Sequence, residues 1–154
     1  MLSDKVSLNH NLDLPFAEGQ RIHRPSELHD RYGGNRQSGI SPCAKYPYVF
    51  LFIAPSGDDY GYRDDWISEN EFVISGEGQF GDMKMNRGNR AILNHVKDDR
   101  ALHLLSKISS GYYEYLGRFA YVSHEFEPGT DTEGNTREMI QFRLKKFDVK
   151  NIRG

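Results

Sequence analysis

The stretch Ile74–Asp82, ISGEGQFGD, carries a G-x-G-x-x-G spacing at Gly76, Gly78 and Gly81, and its reading decides the fold. As a dinucleotide fingerprint it would join a first strand to a helix, and the chain would be a doubly wound α/β protein. The neighbouring residues argue against this. The next helical pattern, NRAILNHV (89–96), begins well beyond Gly81, whereas the fingerprint needs a helix almost at once. Glu77 and Asp82 put negative charge where phosphates would lie, and no G-K-[ST] follows for a Walker loop. The glycines read instead as sharp bends leaving a strand, or as places where backbone approaches a ligand closely.

Outward from that point the chain reads as mixed α+β, mainly β. EFVIS (71–75) is a strand, and YPYVFLFIA (46–54) is a short, nearly all-apolar run expected as a buried strand. PSELHDRYGG (25–34) predicts a short helix with Pro25 in its first turn and a glycine stop. NRQSGIS (35–41) and PSGDDYGYRDDW (55–66) are loops. In NRAILNHV, Ala91, Ile92 and Val96 share a helix side and Asn89 is the expected cap. LHLLSKI (102–108), GYYEYLGRFAYVSHEF (111–126, one strand or two) and REMIQFRLKKF (137–147) complete five or six strands, with PGTDTEGN (128–135) a turn. Two short helices among these strands fit a curved sheet or barrel, not alternating βαβ units.

Composition narrows the function classes. The chain has 154 residues, 37% hydrophobic and 27% charged, as expected of one soluble domain with a real core. No apolar run approaches a membrane span, and the N-terminus lacks a signal-peptide layout. One cysteine, Cys43, builds no disulfide framework and suits a reducing cytoplasm. His29, His95 and His103 read as ordinary polar or half-buried positions, and no H-E-x-x-H or HNH-type cluster is present. A net charge of −2 argues against non-specific coating of nucleic acid. It leaves room for local basic faces such as 21–36 and 84–100.

Four short motifs, in order, carry a resemblance. Tyr62-Arg63-Asp64-Asp65, Ile74-Ser75-Gly76-Glu77-Gly78, Gly88-Asn89-Arg90-Ala91-Ile92 and Tyr113-Glu114-Tyr115-Leu116-Gly117 resemble the SRA family pattern Y-x-D, Y-T-G-x-G, N-x-A-L and Y-x-Y-x-G. His29–Gly34 and Gln37–Ile40 look closer still to the SRA-like domains of prokaryotic HNH restriction endonucleases that attack modified DNA. The resemblance covers roughly 20–145 of the chain. It implies a PUA-like, SRA-type curved β-barrel over 20–147, preceded by an extension (1–19). A tail (148–154) would lead toward an effector.

The implied function is the reading of 5-methylcytosine or 5-hydroxymethylcytosine in duplex DNA. The modified base would be swung out of the helix into a pocket, at a cost of a few kcal/mol of pairing and stacking, roughly. Tyr62 would stack on the base, and Asp65, or Asp64 if the loop shifts by one, would accept the cytosine N4 hydrogens, rejecting thymine. Ser75 and Gly76 would meet the base edge or its 5-substituent. The family's second stacking tyrosine aligns with Ile74, so the stack is one-sided or completed by Tyr60, Trp66 or Phe80. Asn35, Arg36, Gln37 and Ser38 match an insertion loop, with Gln37 or Arg36 facing the orphan guanine. Arg31, Lys84, Arg87, Asn89 and Arg90 would position the DNA backbone. The expected partner is an HNH nuclease domain or subunit, with no cofactor and no metal, and this chain alone is expected to cut nothing. Two other classes compete: a barrel that binds RNA or a modified nucleotide, and a nuclease holding Mg²⁺ on Asp58, Asp59, Asp64, Asp65 and Asp82.

Overall fold

The computed structural model describes residues 12–54 and 64–147. Eight strands form one sheet: β1 (Arg21–His23), β2 (Ile40–Pro42), β3 (Tyr48–Ile53), β4 (Asp65–Trp66), β5 (Glu71–Ser75), β6 (Ala101–Ser109), β7 (Tyr112–Thr130) and β8 (Thr136–Lys146). Three helical segments accompany them. Arg24–His29 is a π-helical turn (α1) that runs into the short α2 (Asp30–Tyr32), and α3 spans Arg87–Leu93. Among the described residues no helix is long and apolar enough to cross a membrane.

The strand order is β2-β3-β6-β7-β8-β5-β4, with β1 added to the start of β7. Every pairing is antiparallel except β3 with β6. The 19-residue β7 is the spine, since its first half pairs with β1 and β6 and its second with β8. Register shifts at Leu104/Leu105 and Tyr121/Ser123 bend these ladders, as bulges do, and the sheet curls. Among the described residues β2 and β4 remain unpaired edges, so hydrogen bonds do not close the curl into a full barrel.

Within the apolar run at 46–54, Tyr48–Ile53 is buried on both faces, as its composition predicts, while Tyr46 and Ala54 are exposed. Val49, Leu51 and Ile53 enter an aliphatic cluster with Ile74, Ile92, Phe142 and Leu144, while Tyr48 and Phe50 enter an aromatic one with Leu28, Tyr113 and Tyr115. Leu12 and Leu14 are buried, and the Gly19 amide donates to the Tyr115 carbonyl. Residues 12–19 thus pack against β7.

The three short strands β1, β2 and β4 are additions to the sequence reading. A second difference concerns α3. The helix starts at Arg87 after Asn86, two residues earlier than expected, and Asn89 is not its cap but a buried residue of its first turn.

Candidate functional site

A cavity of about 740 Å³ opens between two loops at the edge of the aliphatic cluster. It lies within the size range of ligand sites, about 300–1,000 Å³. Ile40, Leu51, Ile53 and Ile74 give it an apolar floor. Gln37, Ser38 and Gly39 form one wall, and Ser75 to Gln79 the other, with Asn86 and Arg87 at the far side. Asp64 completes the lining.

The Asp64 carboxylate is held in place by β5. Its Oδ1 accepts the Ser75 amide at 2.9 Å, and the Ser75 hydroxyl also bonds to the carboxylate. Burial pushes its pKa above the usual carboxylate range, and the two bonds from Ser75 oppose that rise. An ionised carboxylate has about four lone-pair sites, so two such bonds leave acceptor capacity on a residue that lines the cavity. Gln141, opposite Ser75 on β8, donates its Nε2 to Ser75 Oγ at 3.1 Å and supports the pair from behind.

Sequence alone left Asp64 and Asp65 as alternatives; the structure separates them. Asp65 is exposed and accepts the Trp66 amide at 2.7 Å, and only Asp64 lines the cavity. Trp66 does not line it either. β4 pairs with β5 so that Trp66 lies opposite Phe72, three residues and about 10 Å of strand from Ser75. Its ring packs on Phe72 and Phe119 with Lys146 above it, closing the core instead of a pocket. Ile74, Ser75 and Gly76 line the cavity, and Phe80 is exposed. Tyr60 and Tyr62 lie outside the described residues.

The glycine loop is a piece of backbone carpentry. Asn89 is fully buried; its Oδ1 accepts the Glu77 amide at 2.8 Å and its Nδ2 donates to the carbonyls of Glu77 (3.0 Å) and Lys84 (2.9 Å). Such a residue is committed to the loop and is not placed to touch a phosphate, which corrects the expectation for Asn89. Gly76 is required here because a Cβ would lie 2.7 Å from Asn89 Oδ1. Gly78 adopts φ +137°, where side chains are strained. The two acids that counted against a phosphate cradle serve the same frame. Glu77 accepts the Gly88 amide at 2.9 Å and Asp82 accepts the Glu138 amide at 2.7 Å. Arg137, almost wholly buried, donates Nη1 to the Gly78 and Gly81 carbonyls.

The opposite wall is tied just as closely. Asn35 Oδ1 accepts the amides of Gln37 and Ser38, and Arg36 pairs with Asp30 at 2.5 Å. Gln37 is left exposed, with no side-chain hydrogen bond among the described residues. A second cavity of about 510 Å³ adjoins the first through Ser38, Ile40, Glu77 and Arg87, and Arg90 and Arg100 also line it. Lys84 and Arg31 are exposed, the latter beside the Tyr32 ring. Among the described residues no group of three or more His, Cys, Asp and Glu side chains could hold a metal ion.

The three buried histidines are each fixed in one neutral form. His29 Nδ1 donates to the Gly33 carbonyl and its Nε2 accepts from Arg24; His95 Nδ1 donates to the Arg100 carbonyl and its Nε2 accepts the Tyr121 amide. His103 Nε2 donates to the Leu12 carbonyl, so its Nδ1 accepts from the Tyr115 hydroxyl. Burial lowers all three pKa values, that of His103 to about 3.

Sequence reasoning missed Arg24, Arg137, Gln141 and the true role of Asn89. The partners of Arg137 and Gln141 lie 56 to 66 residues away. Arg24 and Asn89 bond to loops whose course the local pattern does not give.

Comparison with known proteins agrees with this architecture. The sulfur-binding and SRA domains of ScoMcrA, solved with phosphorothioated DNA, match with a TM-score of 0.69 at 20% identity, over 91% of this chain and 45% of that one. The type IV phosphorothioation-dependent restriction endonuclease ScoMcrA matches at 0.68 and 22%, over 86% and 25%. The SUVH5 SRA domain in complex with methylated CHH DNA matches at 0.62 and 17%, over 88% and 91%. The chain therefore spans less than half the length of either ScoMcrA structure but most of the SUVH5 domain. No curated protein sequence matches it. These structural likenesses speak for the fold. The family model described as ScoMcrA-like, SRA domain matches residues 18–152, most of the chain, and the protein belongs to that family.

Proposed function

We propose that this SRA domain reads modified cytosine, 5-methyl or 5-hydroxymethyl, in duplex DNA by taking the base out of the helix into the 740 Å³ cavity. The observation that carries the reading is Asp64, a carboxylate fixed by Ser75 on the wall of an otherwise apolar-floored cavity. Such a group accepts the N4 hydrogens of cytosine, whereas thymine offers a carbonyl there and is repelled. Ile74 and Ile53 supply apolar contact for a 5-substituent. Solved SRA structures bound to methylated and fully hydroxymethylated DNA support the substrate class by kinship. In this reading Tyr62 stacks on the base, Gln37 enters the vacated stack, and Lys84, Arg87 and Arg90 neutralise phosphates. The domain recognises and does not cut. An HNH nuclease domain or subunit supplies cleavage.

Asp64→Ala and Asp65→Ala test the assignment. Asp64→Ala should erase about 1–3 kcal/mol of the preference for modified cytosine over thymine at the same position. Asp65→Ala should leave it unchanged. A larger loss with Asp65→Ala would move the recognition group back to its neighbour. Fluorescence of 2-aminopurine beside the modified base should rise on binding, because extrusion unstacks it. A silent probe with tight binding would argue for recognition without flipping.

A further inference from the structure

We propose that Arg24, which lies beneath the protein surface, is the residue that presents the 35–38 loop to the DNA. The inference rests on the reading just given, in which that loop enters the duplex. Arg24 is 7% exposed, and among the described residues no carboxylate pairs with it. A buried cation without a counter-charge is costly unless its donors are met. Here two loop carbonyls, His29 and Tyr113 meet them. Nη2 donates to the carbonyls of Ser38 at 2.8 Å and Asn35 at 3.1 Å, Nε donates to His29 Nε2 at 2.8 Å, and Nη1 reaches the Tyr113 hydroxyl at 3.4 Å. The guanidinium lies over the Phe52 ring, 3.5 Å from its centroid, which fixes its plane.

One nitrogen therefore pins both ends of the Asn35–Ser38 span. The interior of the span is closed by Asn35 Oδ1, which accepts the Gln37 and Ser38 amides at 2.8 and 2.9 Å. Arg36 is engaged by Asp30, so within the span Gln37 is the side chain left to project. Arg24 thereby decides where Gln37 points without touching what Gln37 touches. It is a positioning residue. A lysine cannot replace it, because an ammonium is a point donor and cannot hold two carbonyls, an imidazole nitrogen and a ring face together.

The test pairs amide hydrogen exchange with DNA titration for Arg24→Lys, Gln37→Ala and the double variant. In Arg24→Lys the Gln37 and Ser38 amides should exchange at least about tenfold faster, and the modified-to-unmodified affinity ratio should fall about tenfold, as expected for lost hydrogen bonds to a charged group. Amides of β3 should stay protected. The double variant should discriminate no worse than Gln37→Ala alone, because both act through one side chain. Additive losses would overturn the inference, as would an unchanged ratio in Arg24→Lys. Should Arg24→Lys fail to fold, Phe52→Leu, which removes the ring under the guanidinium, must give faster exchange at 37 and 38 more weakly, and its absence also counts against the proposal. Phe52 also lines the cavity, so only the exchange is read for this variant. A wild-type chain that binds all probes alike sinks the functional reading and the DNA half of this inference with it. Unchanged exchange at 37 and 38 sinks the anchor whatever the DNA data.

Discussion

The two loops that face each other across the large cavity are held by opposite chemistry. The wall that begins at Gly76 is braced by Asn89, a neutral amide with no exposed surface that substitutes for missing main-chain partners. The 35–38 wall is braced by Arg24, a buried cation whose neutralisation is left to dipoles and a ring. A neutral brace costs little desolvation and makes a rigid wall. A charged brace binds strongly only while every acceptor is in place, and so ties the loop to its surroundings, His29 included.

The largest expected effect follows from removing the neutral brace. Asn89→Ala would leave the Glu77 amide and carbonyl without partners, and the Lys84 carbonyl with the Asn86 amide alone, costing about 3 kcal/mol. A urea titration measures it. A loss no larger than that of an exposed residue would mean that water replaces the amide and that the wall is not rigid.

Acid should distinguish the two walls. His29, His95 and His103 have folded pKa values below their unfolded ones, so the unfolded chain binds more protons once the pH falls below about 6.5. Stability is thus fully present above that pH and declines below it, by up to about 1.4 kcal/mol per pH unit for each histidine. Protonating His29 would also set an N–H against the Arg24 Nε–H, so the Gln37 and Ser38 amides should lose protection before that of Glu77. Exchange measured stepwise from pH 7 to about 5 checks the order; simultaneous loss would mean that both walls fail only with the whole fold.

Smaller effects concern the exposed charges. Arg90→Ala should weaken modified and unmodified duplexes alike and lower the salt slope of binding by about one. Asp30→Ala releases Arg36 from an exposed ion pair and should change stability by less than about 1 kcal/mol. A selective loss of modified-DNA binding in either variant would assign these charges a role in reading the base.

Much of this was legible in the sequence where the signal was local. Apolar runs and alternation located β3, β5, β6 and β8, and the failed helix after Gly81 excluded the dinucleotide fold. The chain order of four motifs pointed to the family that the comparison assigns. Strands of two or three residues such as β1 and β4 carry too short a period to register, and exist because β7 and β5 offer edges. Asn89 misled for a related reason. A polar residue ahead of an apolar run is a cap signal, but its amide bonds twelve residues back to Glu77, which only the folded chain brings near. The choice between Asp64 and Asp65 likewise needed the pairing of β4 with β5, which brings Asp64, just ahead of β4, to the Ser75 amide.

The central claim is that the cavity reads a modified cytosine, and a direct titration tests it. Fluorescence anisotropy with three otherwise identical duplexes, carrying cytosine, 5-methylcytosine or 5-hydroxymethylcytosine at one position, would be run at two salt concentrations. Both modified duplexes, or one of them, should bind more tightly than the unmodified one. Raising the salt should weaken every duplex while changing the ratios between them far less, because phosphate contacts carry the salt dependence and the cavity carries the choice. Equal affinity for all three duplexes at both salt concentrations would contradict the account.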